Sequence, residues 1–349
     1  MRIGIWNFYE ELNRNNYMLL HPDAPIGDGL LKPINDLYRL AQAQGVGMDT
    51  LDMVSDFSAI DAFLFMDFPD LKHGLVKQAF ASGAPKYLIL WESELIRPAN
   101  WKRENHSLFR KIFTWNDAFV DNTKYYKINY AQVLPPAVEC DRSQRVKFCT
   151  MIVSNKKSRH PLELYSKRVE AIRWFERNHP DEFDLYGVGW DAYCFGGIKP
   201  VRALNRFHGL QRLFAPTFPS YRGTVQNKRL ALAQYRFAIC YENARDIPGY
   251  ITEKIFDCFF AGCIPVYWGA NNIADHIPEQ CFIDKRKLRT YEDLYAHLKS
   301  ISPDDHERMV MNIGSFLRSP EAYPFSSDYF CKTLLQEMMT GTVPDIVLE

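Results

Sequence analysis

The fold is indicated by residues 235–270, which read YRFAICYENARDIPGYITEKIFDCFFAGCIPVYWGA. The apolar run Tyr235–Tyr241 is long enough for a buried strand and too short for a helix. After a polar loop, Thr252 is suited to cap a helix and Gly262 to end it. A second apolar run, 263–268, closes the stretch. The pattern predicts one strand–helix–strand unit of a parallel sheet.

Polar residues of this unit lie where open parallel sheets bind ligands. Glu242 and Asn243 follow the first predicted strand, and Glu253 and Lys254 begin the predicted helix. A helix N-terminus offers unpaired N–H groups and partial positive charge to an anion, and Lys254 adds a full charge. Charged residues also begin many helices for solvation alone. The spacing therefore leaves a phosphate site and a solvated helix start both open.

The longer string decides between them. E-N, then G-Y-I-T-E-K-I-F-D, then A-G-C-I-P-V-Y-W-G closely resembles the signature of the α1,3-fucosyltransferases, glycosyltransferase family 10. The resemblance covers patches of residues 85–285 and is strongest at 235–270. It implies an α/β protein with the GT-B fold, in which two Rossmann-like domains face each other across a cleft.

Length and composition agree with a globular protein of two domains. The chain has 349 residues, more than one hydrophobic core usually fills, and 47% of them are apolar. Lys plus Arg (42) equals Asp plus Glu (42), so we expect no nucleic-acid partner. The eight cysteines form no C-x-x-C pair and indicate reduced core thiols rather than disulfides.

The sequence predicts at most a peripheral association with membranes. No apolar run reaches the roughly 18 residues that span a bilayer, and Met1–Trp6 begins a strand rather than a signal peptide. The end, Gly341–Glu349, is short and acidic, unlike the basic amphipathic tail of some bacterial family members. We expect a cytoplasmic protein, attached at most peripherally to the inner membrane face.

Alternating strand-like and helix-like segments extend over the whole chain and predict parallel sheets covered by helices. Predicted strands are 2–6, 60–66, 87–91, 112–115, 149–153 and 183–186, with those of the signature unit. Predicted helices are 34–43, 71–81, 162–177, 291–301, 304–317 and 327–339. Weak periodicity and Pro135-Pro136 place the domain boundary between 136 and 148. We predict an acceptor-binding domain over 1–145 and a GDP-sugar donor-binding domain over 146–349.

Glu92 is the predicted catalytic base. It follows the run YLILW, at the carboxyl end of a predicted strand, although a strand-end Glu usually faces solvent. The string W-E-S resembles the strand end where the family carries its base, and Glu94 fits that motif less well. Burial beneath Trp91 and Trp101 would raise the pKa of Glu92 and make it a better proton acceptor near neutral pH.

The donor-binding residues are implied by the resemblance. Ser154-Asn155 followed by an arginine in a helix matches a family pattern that carries a pyrophosphate-binding arginine; Arg168 is our choice and Arg159 the alternative. A planar guanidinium can hold two phosphate oxygens at once. Lys156 and Lys157 are interpreted as part of a solvated helix face. Further donor-binding residues implied by the resemblance are Lys228, Asn243, Tyr250, Glu253 and Lys254, of which Lys228 is equally compatible with a structural role.

No metal site is expected. There is no convincing D-x-D motif, and the nine histidines have no ligand spacing. We expect no required cofactor, GDP-fucose as the co-substrate, and divalent ions that at most speed product release. The resemblance implies that L-fucose is transferred, with inversion at the anomeric carbon, to an oligosaccharide or lipopolysaccharide-type acceptor. The new bond would be an α1,3 linkage to a GlcNAc-type sugar. Two alternatives remain: transfer of another GDP-deoxysugar, and an inactive glycan-binding protein.

Overall fold

A computed structural model describes residues 1–23, 29–138, 145–193 and 204–340. Within these residues the strands form two parallel sheets, and the predicted α/β class and GT-B architecture are confirmed. The first sheet has the order β2-β1-β3-β4-β5-β6, with β1 (Arg2–Asn7), β2 (Gly47–Thr50), β3 (Ala62–Met66), β4 (Lys86–Leu90), β5 (Lys111–Thr114) and β6 (Tyr125–Lys127). The second has the order β11-β10-β9-β7-β8, with β7 (Lys147–Ile152), β8 (Phe183–Tyr186), β9 (Tyr235–Tyr241), β10 (Ile264–Trp268) and β11 (Ile283–Asp284).

Helices connect the strands and cover the sheets. Those of the first half are α1 (Tyr17–Leu20), α2 (Lys32–Ala43), α3 (Gly74–Ala81) and α4 (Arg103–His106). Those of the second half are α5 (Tyr165–Asn178), α6 (His208–Leu213), α7 (Lys228–Leu232), α8 (Glu253–Phe260), α9 (Tyr291–Ser300), α10 (Pro303–Leu317) and α11 (Ser327–Thr340). None of the helices in the described ranges is long and apolar enough to cross a membrane.

The signature unit folds as its sequence predicts. Strand β9 lies between β10 and β7, with Ile239 opposite Val266. Thr252 caps α8 by accepting the N–H of Lys254. Gly262 has a φ of +63°, which L side chains rarely adopt, and follows the end of α8. The predicted strand and helix limits therefore agree with the structure to within a residue or two.

The C-terminal helix differs from the predicted domain division. We assigned residues 146–349 to the second domain, but α11 packs on the first sheet. Its apolar residues Phe330, Leu334 and Met338 lie in one core with Ile5 of β1 and Leu37 of α2. An amphipathic pattern predicts that a helix covers a sheet, and it does not specify which of two sheets. The predicted tail, 341–349, lies outside the described residues.

The chain crosses between the domains at two neighbouring places. The backbone of Gln132 accepts the N–H of Ser327 at 2.8 Å and donates to the carbonyl of Phe325 at 2.7 Å. The first crossing follows the end of β6 at Lys127 and precedes the start of β7 at Lys147, and residues 139–144 are outside the described ranges.

Three short strands and four short helices were missed by the sequence analysis. β2, β6 and β11 have four, three and two residues and occupy sheet edges, and the helices α1, α4, α6 and α7 have four to six residues. Segments this short contain no apolar run or helical repeat that a pattern could reveal. The six cysteines within the described residues are buried free thiols.

Candidate active site

Glu92 lies two residues beyond the end of β4, and several groups fix its position. The carboxylate of Asp67 accepts the backbone N–H groups of Trp91 at 2.7 Å and of Glu92 at 3.0 Å. The indole N–H of Trp101 donates to the carbonyl of Glu92 at 3.0 Å. The hydroxyl of Tyr9 donates to Oε1 of Glu92 at 3.0 Å. The main chain of Glu92 is thus held by Asp67 after β3 and Trp101 after β4, and its carboxylate by Tyr9 after β1.

The pKa of Glu92 reflects both its burial and the opposite domain. Burial raises this pKa, and the hydrogen bond from Tyr9 lowers it less than burial raises it. The negative charge of Glu253 raises the pKa further, while Lys254 and Lys156 lower it. The predicted rise in the pKa is confirmed. Because Glu253, Lys254 and Lys156 belong to the second domain, the carboxyl group of Glu92 faces the cleft.

Glu94, the alternative base, has a different environment. Its side chain is 59% exposed, and its Oε2 lies 3.9 Å from Nε2 of His160 in the second domain. An exposed carboxylate keeps its hydration and is a weaker proton acceptor near neutral pH than a buried one. The geometry therefore favours Glu92.

Lys254 is anchored at the start of α8 by a buried carboxylate. Glu242, which has no exposed surface, accepts the backbone N–H of Thr252 at 2.8 Å and its hydroxyl at 2.7 Å. The Nζ atom of Lys254 lies 3.2 Å from Oε2 of Glu242 and 2.8 Å from Oγ1 of Thr252. The ammonium group is therefore held beside the N-terminus of α8, where it reinforces the positive end of the helix.

Glu253 and Lys228 join the same cluster. Burial would raise the pKa of Glu253, but the charges of Lys254 and Lys228 outweigh it and lower the pKa to about 2. Lys228 at the start of α7 pairs with Oδ2 of Asp257 at 3.1 Å, and burial raises the pKa of Asp257. The structure thus brings the predicted residues Lys228, Glu253 and Lys254 together.

Arg168 is buried behind this cluster. Its side chain on α5 is 3% exposed, and Nη2 donates to the carbonyl of Tyr241 at 2.7 Å and to Oδ1 of Asn243 at 3.0 Å. Its Nε is buried and has no hydrogen-bond partner among the described residues. Arg168 therefore fixes the loop after β9 through Tyr241 and Asn243, and keeps one unused donor. The alternative, Arg159, is exposed.

Tyr250, a donor-binding residue according to the resemblance, is buried against the first domain. Its ring is 1% exposed and packs on Trp115 and Tyr130 of the first domain, with ring centroids 4.7 Å and 6.2 Å away. In this arrangement the ring joins the two domains and does not line an open surface. The aromatic partners are more than 100 residues away in sequence, so no local pattern could indicate this packing.

Tyr9, Asp67 and Asn100 were not foreseen as parts of the site, and Glu242 was noted only as a polar residue after the first strand of the signature unit. Asp67 directly follows β3 and Glu242 directly follows β9. Polar residues at the carboxyl ends of parallel strands were the signal that could have found them. In the described part of the chain no group of three or more His, Cys, Asp or Glu side chains is arranged to hold a metal ion.

Comparisons with known proteins relate the second half of the chain to a family. Residues 142–311 match the family model described as glycosyltransferase family 10 (fucosyltransferase) C-term. An α-(1,3)-fucosyltransferase of Helicobacter pylori is 35% identical over 139 residues, which cover 36% of this chain and 28% of that protein. This chain therefore spans less than a third of the length of that relative.

Solved structures share the fold at low sequence identity. An α1,3-fucosyltransferase crystallised with GDP-fucose superposes with a TM-score of 0.57 and 14% identity, over 99% of this chain and 91% of that one. An α-glucosyltransferase in complex with UDP-glucose and DNA superposes with a TM-score of 0.57 and 11% identity, over 97% and 99%. The fold is thus shared by transferases crystallised with different sugar nucleotides, whereas the sequence match over residues 142–311 is to the fucosyltransferase family model. Residues 142–311 of this chain match the C-terminal domain of glycosyltransferase family 10, the fucosyltransferases, and the resemblance seen in the signature is confirmed.

Proposed function

We propose that this protein transfers L-fucose from GDP-fucose to a hydroxyl group of an acceptor glycan, with inversion at the anomeric carbon. The observation that supports this most directly is the pairing across the cleft. Glu92 of the first domain, a carboxyl group whose pKa is raised, faces Lys254 at the start of α8 in the second domain. A proton acceptor opposite an anion-binding helix start is what transfer from a sugar diphosphate requires.

Glu92 would act as the base. Its carboxylate takes the proton of the acceptor hydroxyl as that oxygen forms a bond to the anomeric carbon of fucose. The bond from this carbon to the diphosphate oxygen breaks on the opposite face, and GDP leaves. A β-linked donor thus gives an α-fucoside in one displacement, through an oxocarbenium-like state that the ionised carboxylate of Glu253 would help to stabilise.

Protein cations would stabilise the leaving diphosphate. Lys254 and Lys228 lie beside the start of α8, and Arg168 keeps a buried unpaired Nε behind the loop after β9. We propose that these positive charges and the helix N-terminus hold the diphosphate with no required metal ion. Divalent ions would then affect only product release.

The acceptor is proposed to bind the first domain, next to Glu92. An α1,3 linkage is supported by the α-(1,3)-fucosyltransferase of Helicobacter pylori among the relatives. A GlcNAc-type sugar of an oligosaccharide or lipopolysaccharide-type glycan as the acceptor stays a prediction from the sequence. The cytoplasmic location, the peripheral membrane contact and the absence of a nucleic-acid partner stay predictions from the sequence.

Release of GDP from a panel of GDP-sugars, with and without GlcNAc-containing oligosaccharides and with and without EDTA, tests the proposal. We expect acceptor-dependent release from GDP-fucose that survives EDTA. In Glu92→Gln turnover should fall by roughly 10²–10⁴, the usual contribution of a general base, while donor affinity stays the same. Glu94→Gln is the matched control and should change neither quantity appreciably.

Other results would favour one of the alternative functions or the alternative base. Release from another GDP-deoxysugar in preference to GDP-fucose would reassign the donor. Glycan binding with no release from any donor would indicate an inactive binding protein. A collapse of turnover in Glu94→Gln, with a near-normal rate in Glu92→Gln, would move the base by two residues.

A further inference from the structure

We propose that Tyr9 and Asp67 are positioning residues for Glu92: Asp67 fixes the main chain at Glu92, and Tyr9 orients its carboxylate and favours the ionised form. This inference rests on the proposed role of Glu92 as the base. It assigns functions to two residues that lie 83 and 25 positions away in sequence.

A single carboxylate oxygen of Asp67 stabilises the turn after β4. Its Oδ1 accepts the N–H groups of Trp91 and Glu92 and also the amide Nδ2 of Asn100, at 2.7, 3.0 and 2.6 Å. The same Nδ2 of Asn100 donates to the carbonyl of Glu92 at 3.1 Å. Asp67 is 3% exposed, and its backbone has a φ of +63°, a conformation uncommon for a residue with a side chain. This strained and buried position is consistent with a specific task.

Tyr9 contacts the reactive group itself. Its hydroxyl donates to Oε1 of Glu92, and its own backbone N–H is fixed by Oδ1 of Asn7 at 2.8 Å. Asn7 is fixed in turn by Oδ1 of Asn13, which accepts its backbone N–H at 2.7 Å. Burial, and then the charge of Glu92, raise the pKa of Tyr9, so its hydroxyl stays a donor throughout the working pH range. A donor to a carboxylate stabilises its ionised form.

The charged and titratable groups that face Glu92 come from both domains. From the first domain they are Tyr9, Asp67 and Tyr130; burial, and then the charge of Glu92, raise the pKa of Asp67 to about 7. From the second domain they are Glu253, Lys254, Lys156, Tyr165 and Tyr250. Among these groups Tyr9 donates a hydrogen bond to the carboxylate of Glu92, so Tyr9→Phe removes a defined contact and leaves the surrounding charges in place.

The test for Tyr9 measures the pKa of Glu92 directly. Glutamate labelled with ¹³C at the carboxyl carbon is titrated by NMR, and the resonance that disappears in Glu92→Gln is that of Glu92. We expect Tyr9→Phe to raise the pKa of Glu92 by about one unit, because the hydrogen bond that favours the ionised form is lost. The acid limb of the pH profile of kcat/KM should move to higher pH by the same amount. An unchanged pKa would overturn the role of Tyr9, whether or not the enzyme transfers fucose.

The matched control is Tyr295→Phe, which removes another tyrosine donor to a glutamate. The hydroxyl of Tyr295 donates to Oε2 of Glu182 at 2.6 Å on the other side of the second domain. This variant should leave the titration of Glu92 and the pH profile unchanged. A shift of equal size in Tyr295→Phe would mean that the effect in Tyr9→Phe is general and not local.

Asp67 is tested by two substitutions. Asp67→Asn keeps a side-chain oxygen that can accept all three hydrogen bonds, whereas Asp67→Ala removes the acceptor. We expect kcat to fall at least tenfold in Asp67→Ala with KM for the donor nearly unchanged, and to be restored for the most part in Asp67→Asn. In both folded variants the NMR resonance of Glu92 reports its environment independently of turnover. A Glu92 resonance unchanged in position and titration in Asp67→Ala would overturn the role of Asp67.

Discussion

Two carboxylates at the centre of the molecule have pKa values displaced in opposite directions. Burial raises the pKa of Glu92, while Lys254 and Lys228 overcome burial at Glu253 and lower its pKa to about 2. Groups displaced in this way take different parts in acid–base chemistry. Glu253 stays ionised at any physiological pH, whereas Glu92 is closer to the pH at which it can exchange a proton.

The contribution of Lys254 to nucleotide binding is testable with GDP alone. Lys254→Ala should weaken GDP binding at least tenfold, which corresponds to the roughly 1.5–3 kcal/mol expected of a charge-assisted contact. Isothermal titration calorimetry measures the affinity. Lys157→Ala removes an exposed lysine from the segment that follows Ser154-Asn155 and serves as the control. Equal affinity for GDP in Lys254→Ala and the control would contradict the phosphate assignment, provided that circular dichroism shows both variants folded.

At the scale of secondary-structure elements, α8 belongs to the core of the second domain and also carries residues of the site. Thr252 caps this helix, and Glu242 at the end of β9 holds Thr252 from within the core. A local sequence pattern thereby places Glu253 and Lys254 at the start of α8, where they face Glu92 of the first domain. The C-terminal helix α11 shows the opposite case, because its position depends on contacts with a sheet formed more than 200 residues earlier.

Truncating one core residue of α11 should destabilise the first domain. Leu334 has no exposed surface and lies in the core formed with β1 and α2. Leu334→Ala should lower the free energy of unfolding by about 2–5 kcal/mol, the usual cost of a large-to-small change in a core. Urea denaturation measures it. Met311→Ala on α10, where the side chain is 65% exposed, is the control and should cost less than about 0.5 kcal/mol. A similar loss in both variants would contradict the packing of α11 on the first sheet.

At the scale of the whole molecule, the domains are joined by a polar contact as well as by aromatic rings. Asp117 of the first domain accepts hydrogen bonds from Lys127 at 2.5 Å, and from Asn272 and His276 of the second domain at 2.8 Å each. Gly249 lies beside it with a φ of +76°, where any side chain would overlap the carbonyl oxygen of Trp115. Glycine is therefore required at this contact between the two domains.

This contact should make stability depend on pH in acid. Burial would raise the pKa of Asp117, but the hydrogen bonds from His276, Lys127 and Asn272 outweigh it and lower the pKa below its ordinary value. A depressed pKa contributes stability that is present above the unfolded value of about 3.9 and is lost as the pH falls towards the folded value. Wild type should therefore exceed Asp117→Asn in unfolding free energy by about 1–3 kcal/mol at pH 6, and the difference should shrink below about pH 4.

Urea denaturation between pH 3 and pH 7 measures this difference. Asp181→Asn changes an exposed carboxylate and is the control, for which little difference is expected at any of these pH values. A difference between wild type and Asp117→Asn that stays constant down to pH 3 would show that ionised Asp117 does not stabilise the junction.

The sequence alone determined the central unit of the second domain and most of the buried strands. Strand β3 is apolar throughout and β9 is apolar except for Arg236, and α8 carries its own cap and stop, so each is specified by neighbouring residues. The signature also led to Lys254 and Glu253, and the strand end after β4 led to Glu92. The elements could be predicted because the required information is local, while the roles of Glu92, Glu253 and Lys254 stay predictions.

Only the tertiary structure decided which distant residues meet these groups. The hydroxyl of Tyr9 reaches Glu92 over 83 positions, α11 returns to the first sheet, and Tyr250 is buried by rings of the other domain. Edge strands such as β2 are held by backbone pairing to a neighbour rather than by a pattern of their own. Periodicity records which face of an element is apolar, and it carries no record of the partner that covers that face. That partner is selected when the two sheets pack, through contacts between residues far apart in the chain.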